Sequence, residues 1–349
     1  HKHFVDKIII KKDGKEYYKI PEVLDCWFES GSMPYAQMHY PFENKEKFEK
    51  SFPADFIAEG QDQTRGWFYT LHILATALTQ EGKSVIPKII NVPAFKNVIV
   101  NGMVLASDGK KMSKSLKNFP DPELILEKYG ADAMRYYLIT SPVMEAEDLS
   151  FNEEAVRETY GKLINTLWNV FEFYKMFAGG KKPEKIKTKN ILDKWILAKL
   201  DVLIREVTEN MENYRLMRAS RPILDFVMDL SQWYVRRSRD RFKGNDEEDK
   251  KAALFTTYEV LMVLSKLMAP ITPFIAEKIY LGLNGEKESV HLEDWPKVGN
   301  PDKNVLEEMD KVRKVVELGL SLRAEKGIRV RQPLDKVVIN RKMDKDLLK

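Results

Sequence analysis

Asp55-Phe56-Ile57-Ala58-Glu59-Gly60-Gln61-Asp62-Gln63 is the stretch on which the fold turns. A short, largely apolar run closes on Glu59-Gly60, and an apolar-rich segment at helical spacing follows from Gln63 to Thr79. Strand, turn and helix in that order form the building unit of a parallel α/β sheet, whose ligands gather at the carboxyl ends of the strands. Lys88–Val92 reads as a second strand of this kind. Asn101-Gly102, set between Asn97–Val100 and Met103–Ala106, is a two-residue hairpin signal.

The turn itself carries chemistry. Glu59 and Asp62 offer carboxylates for an ammonium group and a ribose hydroxyl, Gln63 adds an amide, and Gly60 permits close backbone approach. Acidic side chains are also favoured at any helix N-terminus, so the turn by itself leaves both readings open. Beyond the hairpin signal comes the polar loop Ser107-Asp108-Gly109-Lys110, followed by Lys111-Met112-Ser113-Lys114-Ser115. Two lysines three apart, with two hydroxyls and one flexible apolar side chain, make a mobile cation clamp suited to a polyphosphate. The plainer alternative is a solvated lysine loop. Average residue usage makes this pentapeptide a chance event in only about one chain in a few thousand of this length, which favours the clamp.

At 349 residues, 44% hydrophobic and 32% charged, the chain has room for two or three domains with cores of their own. Its longest apolar runs are too short to span a bilayer, and no secretory signal precedes the fold; no membrane association is expected. Cys26, the lone cysteine, rules out a disulfide framework and a multi-cysteine zinc site, and suits a reducing cytoplasm. A net charge of +4 does not announce nucleic acid, so a local basic face must carry any such binding. The chain opens on His1 rather than Met and enters folded-looking sequence at once, which reads as a piece of something larger.

After Ala131 the pattern is expected to be helical only. Ser150-Phe151-Asn152-Glu153 has capping-box spacing, opening a helix that runs to Gly179-Gly180. Lys181–Lys189 is a lysine-rich linker, and two long helices follow at about 191–212 and 215–243, stopped by Gly244-Asn245-Asp246. Leu254, Tyr258, Leu261 and Met268 share a face of the next helix, which Pro270 and Pro273 are expected to bend. A last helix spans about 302–326, before Gly327 and a strand-like end. Arg236-Arg237-Ser238-Arg239-Asp240-Arg241-Phe242-Lys243, preceded by Gln232-Trp233-Tyr234, is the best local nucleic-acid candidate. Arg236 and Arg239 share a helical face that Arg241 does not. A charge run on a helix is most often just a solvated face.

Lys111–Ser115 is identical to the KMSKS signature of the class I aminoacyl-tRNA synthetases, and the chain resembles that family there. Glu59–Gln63 with Thr64-Arg65-Gly66-Trp67-Phe68-Tyr69 resembles the isoleucyl branch. Leu24-Asp25-Cys26-Trp27-Phe28-Glu29-Ser30-Gly31-Ser32-Met33-Pro34-Tyr35-Ala36-Gln37 looks very like the segment by which that branch, especially its archaeal and eukaryotic members, re-enters the catalytic domain. The segment around Arg236–Lys243 resembles the helical anticodon-binding domain, and Gly130-Ala131-Asp132-Ala133-Met134-Arg135 resembles the stem-contacting junction. Arg329-Val330-Arg331-Gln332-Pro333-Leu334 matches the region after the bundle, with no role assigned.

The resemblance implies an α/β plus all-α architecture: the second half of a Rossmann-like parallel sheet, then a helical bundle. Residues 1–20 would be the return segment of an inserted editing domain, 21–150 the carboxyl-terminal half of the catalytic domain, 151–298 the anticodon-binding domain and 299–349 the start of a further extension. It implies ATP-dependent activation of isoleucine to isoleucyl-adenylate, with Mg2+, and transfer to tRNA(Ile). Lys111, Met112, Ser113, Lys114 and Ser115 would bind ATP, with Lys111 and above all Lys114 catalytic. Glu59, Gly60, Asp62 and Gln63 would hold the adenylate, Trp27 and Trp67 would wall the isoleucine pocket, and Arg236 and Arg239 are the tRNA candidates. Two satisfied core tryptophans are the alternative for Trp27 and Trp67.

The chain departs from the family in one respect. The other signature, His-x-Gly-His, is absent: His1, His3, His39, His72 and His291 never show that spacing. This chain alone is therefore expected to hold half an active site, inactive by itself, with the amino-terminal half and the editing domain as missing partners. A valyl- or leucyl-specific relative, and a non-catalytic tRNA-binding protein built from synthetase parts, are the alternatives.

Overall fold

The computed structural model describes residues 2–22, 26–82, 84, 86, 89–113 and 118–339, in two compact units, His1–Asn101 and Gly102–Lys349. The first unit begins with an antiparallel pair, β1 (Ile9–Lys12) and β2 (Lys15–Tyr18), turned at Asp13-Gly14, both in the left-handed region. Every residue of this pair is exposed. The core of the unit forms where α1 (Cys26–Gly31) packs on α3 (Trp67–Thr79), and where Phe48 of α2 (Lys45–Ser51) stacks on Phe52 with ring centroids 5.0 Å apart. Gly31 is required at the α1–α3 contact, since a Cβ there would lie 2.8 Å from Thr70 Cβ. Tyr35 joins this core; burial pushes its phenol up to about 12.

The strand–turn–helix unit is present. β3 (Ile57–Gly60) pairs in parallel with β4 (Val98–Asn101), Glu59 opposite Val100 and Gly60 opposite Asn101, so both carboxyl ends lie together. Between them the chain makes a 3-10 turn over Gln61–Arg65 and then α3. The helix thus begins at Trp67, not Gln63, because Gly66 breaks the helical path with φ −133° and ψ −114°. The strand expected at Lys88–Val92 is not there: residues 89–92 are irregular, and Lys88 lies outside the described residues. Its place beside β3 is taken by β4.

The second unit begins at Gly102. Asn101-Gly102 is not a hairpin turn, since β4 pairs with β3 while β5 (Val104–Leu105) pairs in parallel with β6 (Leu149–Ser150). Neither residue has positive φ, which a type I′ turn would need. Glycine is demanded here by crowding instead: a Cβ on Gly102 would sit 1.9 Å from the Glu147 carbonyl oxygen. β6 also interrupts the expected all-helical texture.

α4 (Pro122–Ile139) is broken at Gly130, whose φ of +79° and ψ of 159° are not helical. α5 (Glu153–Thr159) and α6 (Thr166–Ala178) run through a π-helical turn, Tyr160–Asn165, to Gly179 in the left-handed cap position. The N-cap of α5 is Asn152, whose side chain accepts from Glu154 N, and not Ser150, which is spent in β6. α7 (Ile191–Glu212) and α8 (Leu216–Asp229) lie where expected; α8 continues through a second π turn, Leu230–Val235, into α9 (Arg236–Lys243). α10 (Glu247–Met268) and α11 (Pro273–Gly282) are separate helices: Pro273, at the first position of α11, starts a new helix instead of bending the old one. α12 (Lys303–Glu325) ends at Gly327 with φ +65°, and the described residues after it form turns and coil, not a strand.

Trp195, Phe171, Leu203, Ile223, Tyr234 and Leu264 are among the fully or nearly fully buried residues of the bundle core. Two residues of α4 stitch the α10–α11 break. Asp132 accepts from Phe274 N at 3.3 Å and Ile275 N at 2.6 Å, while Arg135 donates to the Ile271 and Pro270 carbonyls, both at 3.0 Å. A carboxylate thus meets a helix N-terminus and a guanidinium meets carbonyls beyond a helix C-terminus, the favourable sense for both dipoles. Burial raises the Asp132 pKa, against the lowering effect of those two N–H groups.

Candidate functional site

In the first unit, the carboxyl end of β3 delivers Glu59 and Gly60, and the 3-10 turn delivers Asp62 and Gln63. Gln63 organises the group. Its Oε1 accepts Trp67 N at 2.9 Å, capping the start of α3, and its Nε2 donates to Asp62 Oδ2 at 3.3 Å. A Cβ on Gly60 would stand 2.6 Å from Asp62 Oδ1, so the glycine lets that carboxylate fold back over the strand end. Glu59 is exposed and has no polar partner among the described residues. Such a carboxylate, at the end of a parallel strand, is free to receive a cationic or hydroxyl group.

Both tryptophans reach this place. Trp67 is half-buried, its Nε1 held by the Ser30 carbonyl at 3.0 Å, which ties α3 to the end of α1. The Trp27 ring approaches Gly66 so closely that a Cβ there would meet its Cη2 at 3.4 Å and Gln63 Oε1 at 2.7 Å. Trp27 is 45% exposed, so it is not a core residue. Six expected residues, Trp27, Glu59, Gly60, Asp62, Gln63 and Trp67, therefore share one locale. Sequence reasoning missed Asn101, taken for a turn residue. It lies opposite Gly60 across the parallel pair, and its Oδ1 is buried with no hydrogen-bond partner.

In the second unit, the lysine loop leaves β5 through a tight turn. Ala106 N donates to the Lys110 carbonyl at 2.8 Å, Gly109 takes φ +77°, and Lys111 bridges back to Leu105. Met112 packs against the cluster of Ile125, Tyr137 and Phe151, as an apolar anchor should. Asn118 staples the loop: its Oδ1 accepts Ser113 N at 2.9 Å and its Nδ2 donates to the Lys111 carbonyl at 3.1 Å. Nothing in the lysine pattern pointed to Asn118. The Lys111 ammonium is exposed, with no carboxylate partner among the described residues. Lys114 and Ser115 lie outside the described residues.

The basic run divides by burial. Arg241 turns inward to Asp193 and Asp249. Arg236 and Arg239 are exposed and unpaired among the described residues. Arg237 lies over Trp233, its guanidinium carbon 3.9 Å from the ring centroid, and Arg313 of α12 stands 5.3 Å from the same ring. Trp233, Arg236, Arg237 and Arg313 line a groove of about 1000 Å3 together with Asp225 and Asp229, and Arg313 is held by both Asp229 oxygens at 3.1 and 2.6 Å, which leaves Arg236 and Arg237 as its arginines without a carboxylate partner among the described residues. Arginines interleaved with an aromatic ring suit the phosphates and unstacked bases of single-stranded RNA. The sequence showed Trp233 and Arg237 beside the candidates but could not foresee Arg313.

The family model described as tRNA synthetases class I (I, L, M and V) matches residues 1–150, and that of the anticodon-binding domain of tRNA ligase matches residues 193–339. The isoleucine–tRNA ligase of Chlamydia trachomatis serovar L2 is 49% identical over 97% of this chain and 32% of its own length. Those of Protochlamydia amoebophila and Treponema denticola are each 47% identical, over 96% and 97% of this chain. These organisms are bacteria, so the narrower archaeal and eukaryotic likeness finds no support in them. The chain spans about a third of the length of these relatives. Among solved structures, the Agrobacterium radiobacter K84 agnB2 LeuRS, in a ternary complex with tRNA and LeuAMS, shares the fold at a TM-score of 0.63 and 20% identity, over 86% of this chain and 36% of that one. Mycobacterium tuberculosis methionyl-tRNA synthetase, in complex with methionyl-adenylate, does so at 0.57 and 23%, over 78% and 53%. With a catalytic-domain match ahead of an anticodon-domain match, and near-half identity from end to end, the chain belongs to the class I tRNA synthetases of the isoleucine, leucine, methionine and valine group.

Proposed function

We propose that this chain supplies the carboxyl-terminal half of the catalytic domain and the anticodon-binding domain of an isoleucine–tRNA ligase acting in the cytoplasm. Residues 1–20 would return from its editing module, and residues from 299 begin a further extension. The observation that carries the reading is 49% identity with isoleucine–tRNA ligases over 97% of the chain, joined to one locale holding Glu59, Asp62, Gln63, Trp27 and Trp67.

The reaction begins with attack of the isoleucine carboxylate on the α-phosphorus of ATP, forming the acyl–phosphate bond as pyrophosphate leaves. The nucleophile is already ionised, so no general base is needed. Alignment and positive charge on the departing polyphosphate do the work. Glu59 would receive the amino group, Asp62 and the Asn101 amide would take the hydroxyls and polar edges of the adenylate, and Trp27 with Trp67 would wall the apolar side chain. Lys111 and Lys114 neutralise the phosphates, Met112 anchoring the loop that carries them. Mg2+ would enter with the substrate as MgATP and share the charge on the phosphates. In the second step the terminal ribose hydroxyl of tRNA(Ile) attacks the acyl carbon and AMP leaves, while the groove beside Trp233, with Arg236 and Arg239, receives the tRNA.

An apolar pocket separates isoleucine from valine by only about 1–3 kcal/mol per methylene, so the test must compare amino acids directly. Exchange of labelled pyrophosphate into ATP is measured on the full-length protein with isoleucine, valine and leucine. Isoleucine should give the highest kcat/KM. Preference for valine or leucine would refute the isoleucine assignment, and no exchange with any of them would favour a non-catalytic tRNA binder.

A further inference from the structure

The linker between α6 and α7 forms neither helix nor strand over residues 181–190, yet it is pinned at both ends. Lys182 Nζ meets Glu286 at 2.7 Å and Asn284 Nδ2 donates to the Gly180 carbonyl at 3.2 Å. At the other end the Thr188 hydroxyl donates to buried Asp193, and Asn190 caps α7 by accepting Leu192 N at 3.0 Å. Between these pins the chain walls a cavity of about 310 Å3. Tyr174, Ala178 and Leu254 contribute apolar surface to it, and Lys181, Lys182, Lys185 and Lys251 surround it, with Glu184 as the lone carboxylate of the lining.

Charge balance makes the arrangement informative. Only Lys182 has a carboxylate partner; Lys181, Lys185 and Lys251 are exposed and unpaired among the described residues. Ammonium groups around one cavity of this size repel within the screening length of about 8–10 Å, a cost that a bound anion removes. Burial raises the Tyr174 phenol well above its usual range, so it keeps its proton and adds no negative charge. Lysine supplies compact point charges on flexible stems, which suits a phosphate row better than a fixed planar acid.

We propose that this lysine-rimmed pocket binds backbone phosphates of RNA, as a second electrostatic contact separate from the arginine groove. The proposal rests on the tRNA reading above and adds a site to it. Each phosphate neutralised on RNA contributes about 0.7–0.9 to the slope of log affinity against log salt.

The test compares tRNA binding by the parent chain with that of a triple variant, Lys181→Gln, Lys185→Gln and Lys251→Gln, between 50 and 200 mM salt (concentrations chosen around the range of about 50–200 mM where the effect is large). A control carries Lys162→Gln, Lys311→Gln and Lys314→Gln, exposed lysines that already pair with Glu158, Glu308 and Glu317. The triple variant should lose about 2–3 from the slope and about tenfold or more in affinity at the lower salt, with unchanged melting temperature, while the control keeps the parent slope. An unaltered slope in the triple variant, or an equal loss in the control, would overturn the pocket while leaving the functional reading intact. If ATP at constant ionic strength competes the parent down to the variant's level, the ligand is a free nucleotide and the RNA assignment is overturned. A parent chain that binds no tRNA overturns both readings.

Discussion

Replacing Arg241 by Met tests whether the inward arginine of the basic run holds the bundle together. Its guanidinium donates to both Asp193 oxygens, at 2.7 and 2.8 Å, and to both Asp249 oxygens, at 2.9 and 2.8 Å. The Asp193 side chain is 0% exposed and that of Arg241 10%. Burial pulls the Arg241 pKa down, but the two carboxylates more than offset it and hold the group above its usual value. Its hydrogen bonds in turn keep Asp249 below the usual carboxylate range. In Arg241→Met, Asp193 is left deep in the bundle with only the Tyr234 hydroxyl at 2.8 Å and the Thr188 hydroxyl as side-chain donors among the described residues. Removing one member of a buried pair costs about 3–5 kcal/mol. For a unit of this size that is a fall in melting temperature of about 6–20 °C. Scanning calorimetry of the chain should show this drop in the transition of the helical unit. Adding Asp193→Asn, which removes the stranded charge and still accepts from Tyr234, should restore more than half of it. Arg236→Met, at an exposed and unpaired position, should stay within about 0.5 kcal/mol of the parent. If Arg241→Met costs less than about 1 kcal/mol, or the second substitution deepens the loss, the buried-charge argument is wrong.

Other outcomes follow from the same geometry. In the full-length enzyme, Lys114→Ala should slow adenylation by several powers of ten while barely altering isoleucine affinity, and pre-steady-state kinetics showing equal loss of both would refute the clamp. Glu59→Ala removes a charged partner worth about 1.5–3 kcal/mol, so a non-hydrolysable isoleucyl-adenylate analogue should bind about 10- to 150-fold more weakly; unchanged affinity by calorimetry contradicts the assignment. Arg236→Ala with Arg239→Ala should flatten the salt dependence of tRNA binding by about 1–2 in slope, and an unaltered slope makes them solvated surface. Gly102→Ala brings a Cβ against the Glu147 backbone and should cost about 3 kcal/mol, the upper end for overpacking, because backbone cannot yield as a side-chain tip does; chemical denaturation checks this.

The sequence by itself determined whatever depends on short spacing. The strand–turn–helix at Ile57–Thr79, the helix α7 bounded by Asn190, the stop at Gly179-Gly180, the grouping of Glu59, Gly60, Asp62 and Gln63, and the separation of Arg241 from the face of Arg236 and Arg239 all follow from local geometry that neighbouring residues impose. Tertiary structure decided the rest. Asn101-Gly102 has hairpin chemistry, yet β4 goes to β3 and β5 to β6, because strand partners are chosen by burial across the fold and not by the two residues between them. Asn152 displaced Ser150 as the cap once Ser150 was taken into β6. Asn118 became the staple of the lysine loop, Arg313 joined Trp233 from 80 residues away along the chain, and Asp132 with Arg135 closed the break between α10 and α11. Each of these joins residues that only packing makes neighbours, and a linear pattern holds no record of that proximity.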